Sequence, residues 1–396
     1  MHRYKWSLPK FKLTFLTTIT LLFLYKFGYN GHSIAHLKRT KLKNNKDTLV
    51  HIVLVSCARL DYQNVRYSDK AVDQSVTMMK SAIATSKYPI HFHVFTESDM
   101  KLVFDSEVET WPQKVLNRVN VTLYDISYER FVPKDLGEEL KRWYKPCGSY
   151  RLFVPILLEE VGVSKALYVD NDVLFVRPVN DLWREFEYFD EQQVMGVAPT
   201  SGENFQGSDE NEFSIKDKEN GFFQINSGVL LFDIRKMLKS KWKLDKNGDE
   251  LLQYGKRLIL KYYFRYKNSA EHDQKLLNII FHYNPELLRR LSCRWNFKNN
   301  MCSSDDLTCP DAESLGAGAV HGISSSFFGD VNPTFRALYE CFLNFDFIED
   351  DLESFFNSYL QMLDSTAVGT YCYHKHHTIS FSISETVKYL KTTNSV

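Results

Sequence analysis

The chain carries no charge bias: 49 basic residues balance 49 acidic ones, for a formal net charge of +0. No overall field attracts nucleic acid, and no basic arm interrupts the body of the chain. Phosphate-cradling glycine loops are missing too. No Gly-x-Gly-x-x-Gly follows the first apolar run, which disfavours a dinucleotide oxidoreductase, and no Gly-Lys-Ser/Thr marks a Walker-type loop. Paired Cys-x₂-Cys spacing is absent among the 7 cysteines. Cys293, Cys302 and Cys309 therefore read as a disulfide-pinned loop rather than a zinc site. Seven is odd, so one thiol stays unpaired. Cys57, ending an apolar run, is expected to be that buried thiol, with Cys372 pairing to Cys341 or Cys147.

Long apolar runs are scarce. Leu13 to Tyr25 is short for a membrane helix, which needs about 20 residues in a range of roughly 17–25, and extension to Phe11–Phe27 reaches the lower limit. Arg3, Lys5, Lys10 and Lys12 precede it without an acid, an orientation that keeps the N-terminus cytoplasmic. A cleaved signal peptide competes, but Phe27-Gly-Tyr-Asn30 offers no small-x-small site. The expected organisation is a tail over 1–10, a signal anchor over 11–27, a polar stem over 28–48 and a lumenal domain over 49–396. An oxidising lumen suits the cysteines and the acceptor Asn120-Val-Thr122.

What is present is an α/β pattern. Leu49 to Cys57 is almost wholly apolar, as a central parallel strand should be. Val72 to Ser86 has helical spacing, Ile90 to Phe95 and Val119 to Asp125 read as strands, and Tyr150 to Val161 as a helix. A strand over Ala166 to Val169 then ends at Asp170. This order predicts an open, mostly parallel sheet with ligands at the carboxyl ends of its strands. With 396 residues the chain can build one large domain or two modest ones, and its 22 Tyr and 29 Phe serve a core or sugar-stacking surfaces.

Lys165-Ala-Leu-Tyr-Val-Asp-Asn-Asp-Val-Leu-Phe-Val-Arg-Pro178 organises the rest. Two apolar runs flank Asp170 and Asp172, a charge density that a strand interior does not hold. Carboxylates at such a turn are hard ligands for Mg²⁺ or Mn²⁺, whose shells substrate phosphates complete. A solvated corner is the bland alternative. Without a phosphate loop, a diphosphate would need such a metal. Asn226-Ser-Gly228 interrupts the apolar run Gly221 to Asp233 and reads either as a sugar-binding segment or as a β-bulge. Asp273 opens a helix, where it is an N-cap or something more. His321 ends a strand-like segment, as Asp170 does, and is a structural histidine or a third ligand. Phe335 to Phe347 and Leu352 to Leu363 look like closing helices, and the His-rich tail 371–377 like surface.

Together these pieces resemble glycosyltransferase family 8, and within it the glucoside xylosyltransferases, from about Leu49 to Phe347. The matching motifs are Lys145-Pro-Cys-Gly-Ser-Tyr-Arg-Leu-Phe153, the Asp170-Asn-Asp172 stretch, Asn226-Ser-Gly-Val229, Asp273-Gln274, Cys293-Arg-Trp-Asn296 and His321-Gly322. The resemblance implies a GT-A fold and a type II Golgi or ER enzyme. It implies retaining transfer from UDP-xylose, with Mn²⁺, in α1,3 linkage to glucose O-linked on epidermal-growth-factor-like repeats such as those of Notch. Carried over, Asp170, Asp172 and His321 hold Mn²⁺. Cys57, Arg59, Arg151, Asn171, Asn226, Ser227, Gly228 and Gly322 line the donor, and Asp273 with Gln274 lies near the reacting carbon. The chain departs from the branch twice: Asn171 replaces a threonine, and Ile323 to Asp330 lacks the basic residue that steadies the leaving phosphates. That leaves serine hydroxyls, or Arg151 and the metal, to carry the charge. The alternatives are a family 8 transferase using UDP-glucose or UDP-galactose, and a non-catalytic sugar-binding protein on the same fold.

Overall fold

Val50–Ser56 (β1) is a strand because nearly every side chain on it is apolar, and both faces are covered. Val50, Ile52 and Leu54 point into one core and Val53 into another. In this computed structural model the described residues are 49–392, apart from 61–65, 144–146, 201–212, 218–220, 249, 303–308, 331 and 371. The expected tail, anchor and stem lie outside them, as do Lys145 and Pro146. Among the described residues, no helix is long and apolar enough to cross a membrane.

The remaining strands that position the site are Ile90–Thr96 (β2), Val119–Asp125 (β3), Lys165–Val169 (β4), Val173–Phe175 (β5), Met195–Pro199 (β6), Ile225–Asp233 (β7), Leu288–Arg290 (β8), Phe297–Lys298 (β9) and Ala319–His321 (β10). Seven of them form one sheet in the order β8-β6-β7-β4-β1-β2-β3. β1 pairs in parallel with β2 and β4, β2 with β3, and β8 with β6; β7 runs antiparallel to β4 and β6. The expected mostly parallel sheet is therefore present, with one reversed strand in its middle. A smaller sheet, β9-β10-β5, sets His321 beside Val173.

One face of the main sheet is covered by the helices Ser68–Thr85 (α1), Pro333–Leu343 (α4) and Leu352–Thr366 (α5). Val76, Met79 and Ile83 face inward from α1 at helical spacing, with Phe335, Leu338 and Phe342 from α4. The other face packs Val154–Glu160 (α2) and Asp273–Tyr283 (α3) around Phe153, Phe232 and Phe281. Each such buried side chain contributes roughly 1.5–3 kcal/mol relative to exposure.

The structure corrects several readings. The helix expected over Tyr150 to Val161 divides into a 3₁₀ turn, Gly148–Leu152, and α2, because Pro155 enters at the first turn of α2. His376–Thr392 (α6) is a closing helix beyond those expected and buries Ile379 and Ile383, while His374 and His377 of the His-rich segment are exposed, as read. Cys57 is not the unpaired thiol. It lies just beyond the end of β1 and is bonded to Cys147. Cys372 pairs with Cys302, not with Cys341 or Cys147, and Cys293 with Cys309. Cys341 is the free cysteine, buried on α4, where loss of hydration pushes its thiol up to about 12.

The Cys57–Cys147 bond spans 90 residues and ties the end of β1 to the segment that carries Arg151. Replacing both cysteines with serine is expected to lower unfolding stability by about 2–4 kcal/mol, seen as an earlier denaturant midpoint than the wild type.

Candidate active site

Because β1 and β4 are parallel, their carboxyl ends meet at one edge, where Cys57 and Asp170 lie. β7 runs the other way and brings its amino-terminal part, Asn226-Ser-Gly228, to the same edge. The amide of Asp170 donates to the carbonyl of Gly228 at 2.8 Å, and that of Gly322 to the carbonyl of Asp172 at 2.7 Å. These bonds fold Asp170, Asn171, Asp172, Asn226, Ser227 and His321 around a cavity of about 320 Å³, which Cys57, Gly148, Arg151, His272, Asp273 and Gln274 also line. A larger groove of about 820 Å³ runs elsewhere, along Lys256 to Arg265, over mostly apolar surface.

Arg151 is the buried centre of the site. Its Nη2 lies 3.1 Å from Asp170 Oδ1, and its Nε 2.7 Å from Asp273 Oδ2. Nη1 donates to the Ser227 carbonyl at 2.6 Å and Oγ at 3.0 Å, and Nε donates to the Gly148 carbonyl at 3.0 Å. Asp273 Oδ2 is not aligned for a hydrogen bond, so its attraction to Nε is charge on charge. Burial opposes the guanidinium charge, yet Asp170 and Asp273 more than offset it and hold the group firmly protonated. The ring of Tyr168 lies beneath it, 4.9 Å away, and the phenol donates to Asp170 Oδ1 at 2.9 Å. Burial pushes that phenol well above its usual range.

Asp273 is the first residue of α3, where the helix dipole favours a carboxylate. It is not the N-cap: His272 is, its Nδ1 accepting from the amide of Lys275 at 3.3 Å. Gln274 Oε1 accepts from the Asn226 amide and the Ser227 backbone, each at 3.1 Å. The β7 segment is also a bulge, with its register shifting between Ile225 and Leu230. The bulge reading of Asn226-Ser-Gly228 thus holds, and Asn226 and Ser227 line the cavity there.

The donor set of Asp170, Asp172 and His321 is compact, with one ligand atom from each within 4.8 Å of the others. His321 Nε2 lies 3.2 Å from Asp172 Oδ1. Which nitrogen bears the proton follows from the backbone. Gly228 N–H donates to Asn226 Oδ1 at 3.1 Å, which fixes that amide's orientation. Asn296 Nδ2 donates to the same oxygen at 2.8 Å, so Asn296 turns its Oδ1 to His321 Nδ1, also at 2.8 Å. Nδ1 then carries a hydrogen, which leaves Nε2 as the nitrogen turned to the Asp172 carboxylate. A divalent cation satisfies both, and two carboxylates with one imidazole suit Mn²⁺. The residues present fit the metal. Gly228 is required by close approach: a Cβ there would lie 2.2 Å from His321 Cε1.

The model of glycosyl transferase family 8 matches residues 53–312. The chain belongs to that family. It is a glycosyltransferase of GT-A-like fold, and the resemblance to the glucoside xylosyltransferase branch stands as read. Glucoside xylosyltransferase 1 of Rattus norvegicus is 34% identical over 335 residues, covering 84% of this chain and 71% of its own. Glucoside xylosyltransferase 2 of Mus musculus is 32% identical over 335 residues, covering 82% and 68%. Among solved structures, mouse xyloside xylosyltransferase 1 in its apo form superposes with a TM-score of 0.47 at 16% identity, covering 70% of this chain and 98% of that one.

Two residues that neighbour His321 escaped the sequence reading. Asn296 stood in a quoted motif, yet its link to His321 needs the fold. Lys298 neighbours His321 across the β9–β10 ladder and is buried, its amine donating to the carbonyls of Pro199 and Thr200. Burial lowers its pKa to about 7. Arg59 falls in the short strand Arg59–Leu60, and Asn120 is half-buried in the edge strand β3 rather than on a loop.

Gly228→Ala is expected to push the His321 ring away at an overpacking cost of about 1–3 kcal/mol. In a thermal-shift assay the stabilisation by UDP with Mn²⁺ should disappear, while circular dichroism stays native.

Proposed function

We propose that the chain moves xylose from UDP-xylose, with retention, in α1,3 linkage to glucose O-linked on epidermal-growth-factor-like repeats, and that it does so with Mn²⁺. The observation that carries the reading is the Asp170, Asp172 and His321 donor set, with its oriented imidazole, in a family 8 chain. The glucoside xylosyltransferase names of its relatives supply the sugar and the acceptor class.

Bound there, Mn²⁺ would act as a Lewis acid on the diphosphate leaving group. The chain's own residues do the rest. Asp170, Asp172 and His321 hold the cation, and Arg151 adds a fixed positive charge to the cavity wall beside Asp170. Asn226, held by Gln274 and Asn296, stays in one orientation toward the donor sugar, with no reorganisation needed during reaction. Asp273, 2% exposed, stands as the carboxylate that stabilises cationic character at the sugar carbon. Its contact with Arg151 keeps it aimed. Ile323 and Ser324 line the cavity, so the Ser324 hydroxyl and Arg151 face the departing phosphates.

The proposed setting is a single-pass type II protein of the Golgi or ER, with residues 1–10 cytoplasmic, 11–27 in the membrane, 28–48 as stem and the transferase lumenal. Three disulfides suit that oxidising compartment. Glycosylation at Asn120 belongs to the same proposal.

The test is a panel of UDP-sugars with purified protein, Mn²⁺ and an O-glucosylated repeat peptide. A pentose mass gain from UDP-xylose alone is expected. A hexose gain, or none with any donor, would overturn the proposed specificity. Asp170→Asn and Asp172→Asn should each abolish Mn²⁺-dependent transfer in a protein that still melts cooperatively; retained turnover in either variant removes the metal assignment.

A further inference from the structure

A second cluster of metal-ligating side chains lies away from the donor cavity, toward the amino-terminal ends of the strands. His51 on β1 is the direct cross-strand neighbour of His91 on β2, and His93 follows two residues on, on the same face. Each of the three rings brings one nitrogen within 4.8 Å of the others. His51 Nδ1 and His93 Nε2 are 3.0 Å apart. Two imidazole nitrogens on one tetrahedral zinc, at about 2.0–2.1 Å each, are separated by roughly 3.3 Å.

The surroundings are those of a ligand set more than of a surface patch. His93 is fully buried, and His51 and His91 are half-buried. The 3.0 Å contact of His51 with His93 is a hydrogen bond, whose hydrogen a metal bound to both nitrogens would displace. Two of the rings also meet hydroxyls. His93 Nδ1 lies 3.0 Å from the Tyr124 phenol, and His91 Nε2 lies 2.8 Å from Thr122 Oγ1, both on β3. With His93 Nε2 turned to the cluster, the Tyr124 oxygen can accept the hydrogen of Nδ1, the outer-shell role that carboxylates, carbonyls and waters play for metal-bound histidines. One strand edge thus supplies the support and the two strands beside it supply the ligands.

We propose that His51, His91 and His93 form a zinc site, distinct from the carboxylate site, that clips β1 to β2 and leaves a fourth position for water. Three imidazole nitrogens favour zinc or a similar transition metal over Mn²⁺ or Mg²⁺, whereas the oxygen-rich site at Asp170 and Asp172 favours the reverse. The two sites therefore sort their ions by chemistry.

The experiment uses the full chain, stripped with chelator and re-equilibrated with zinc, and with cobalt as the spectroscopic probe. The Asp172→Asn variant, crippled at the carboxylate site, should still retain one zinc per chain and show the strong visible bands of tetrahedral cobalt. The double variant His51→Gln/His91→Gln should lose both signals while its melting temperature in chelator stays near that of the wild type. Tyr124→Phe, which leaves all three ligands in place, should weaken zinc binding roughly 10–100-fold. Zinc retained equally by the double variant, no zinc retained by Asp172→Asn, or unchanged affinity in Tyr124→Phe would each overturn the assignment.

Discussion

The site depends on one buried guanidinium. Arg151 lies between Asp170, which ends β4, and Asp273, which begins α3, and it also holds the Ser227 carbonyl of β7. Three elements from distant parts of the chain thereby share one charge. Removing either carboxylate would leave a cation poorly compensated in low dielectric, and removing Arg151 would leave two acids facing each other. Such a group contributes little net stability, but it lets the three elements meet in only one arrangement. The cavity is the space that arrangement leaves.

Around that centre, backbone geometry is converted into chemistry through side-chain amides. The bulge in β7 exposes two N–H groups. One fixes Gln274, the other fixes Asn226, and Asn226 through Asn296 sets which nitrogen of His321 bears hydrogen. A tautomer is thus written by the sheet. Gly228 completes the device, since a side chain there would occupy the space of the imidazole.

Much of this was legible in the sequence where a single segment carried the signal. β1, β2 and β3 fall within a residue or two of their apolar runs, and α1 presents the expected face, because period and composition decide local structure. Asp170, Asp172 and His321 could be paired as ends of strands. What stayed hidden were relations between segments. Asn296 and Lys298 gain meaning only beside β10, and His51 only beside His91. The cysteine pairing failed for the same reason: Cys57 looked like the end of a buried strand, and nothing in one dimension shows that Cys147 lies across from it. Asn278 lies among the apolar positions of α3, and its bond to Ile225 likewise needs the fold.

That last residue has an evolutionary consequence. Asn278 accepts from the amide of Ile225 at 2.9 Å and donates to its carbonyl at 3.4 Å, taking the place of a neighbouring strand where β7 departs from its ladder. A bond to backbone ignores the partner's side chain. Position 225 is therefore free to drift among residues that suit the core. Position 278 is not, because only a short side chain with both a donor and an acceptor can stand in for a peptide group there. Lineages of this fold should show variation on the strand and fixity on the helix, the opposite of what burial alone would lead one to expect.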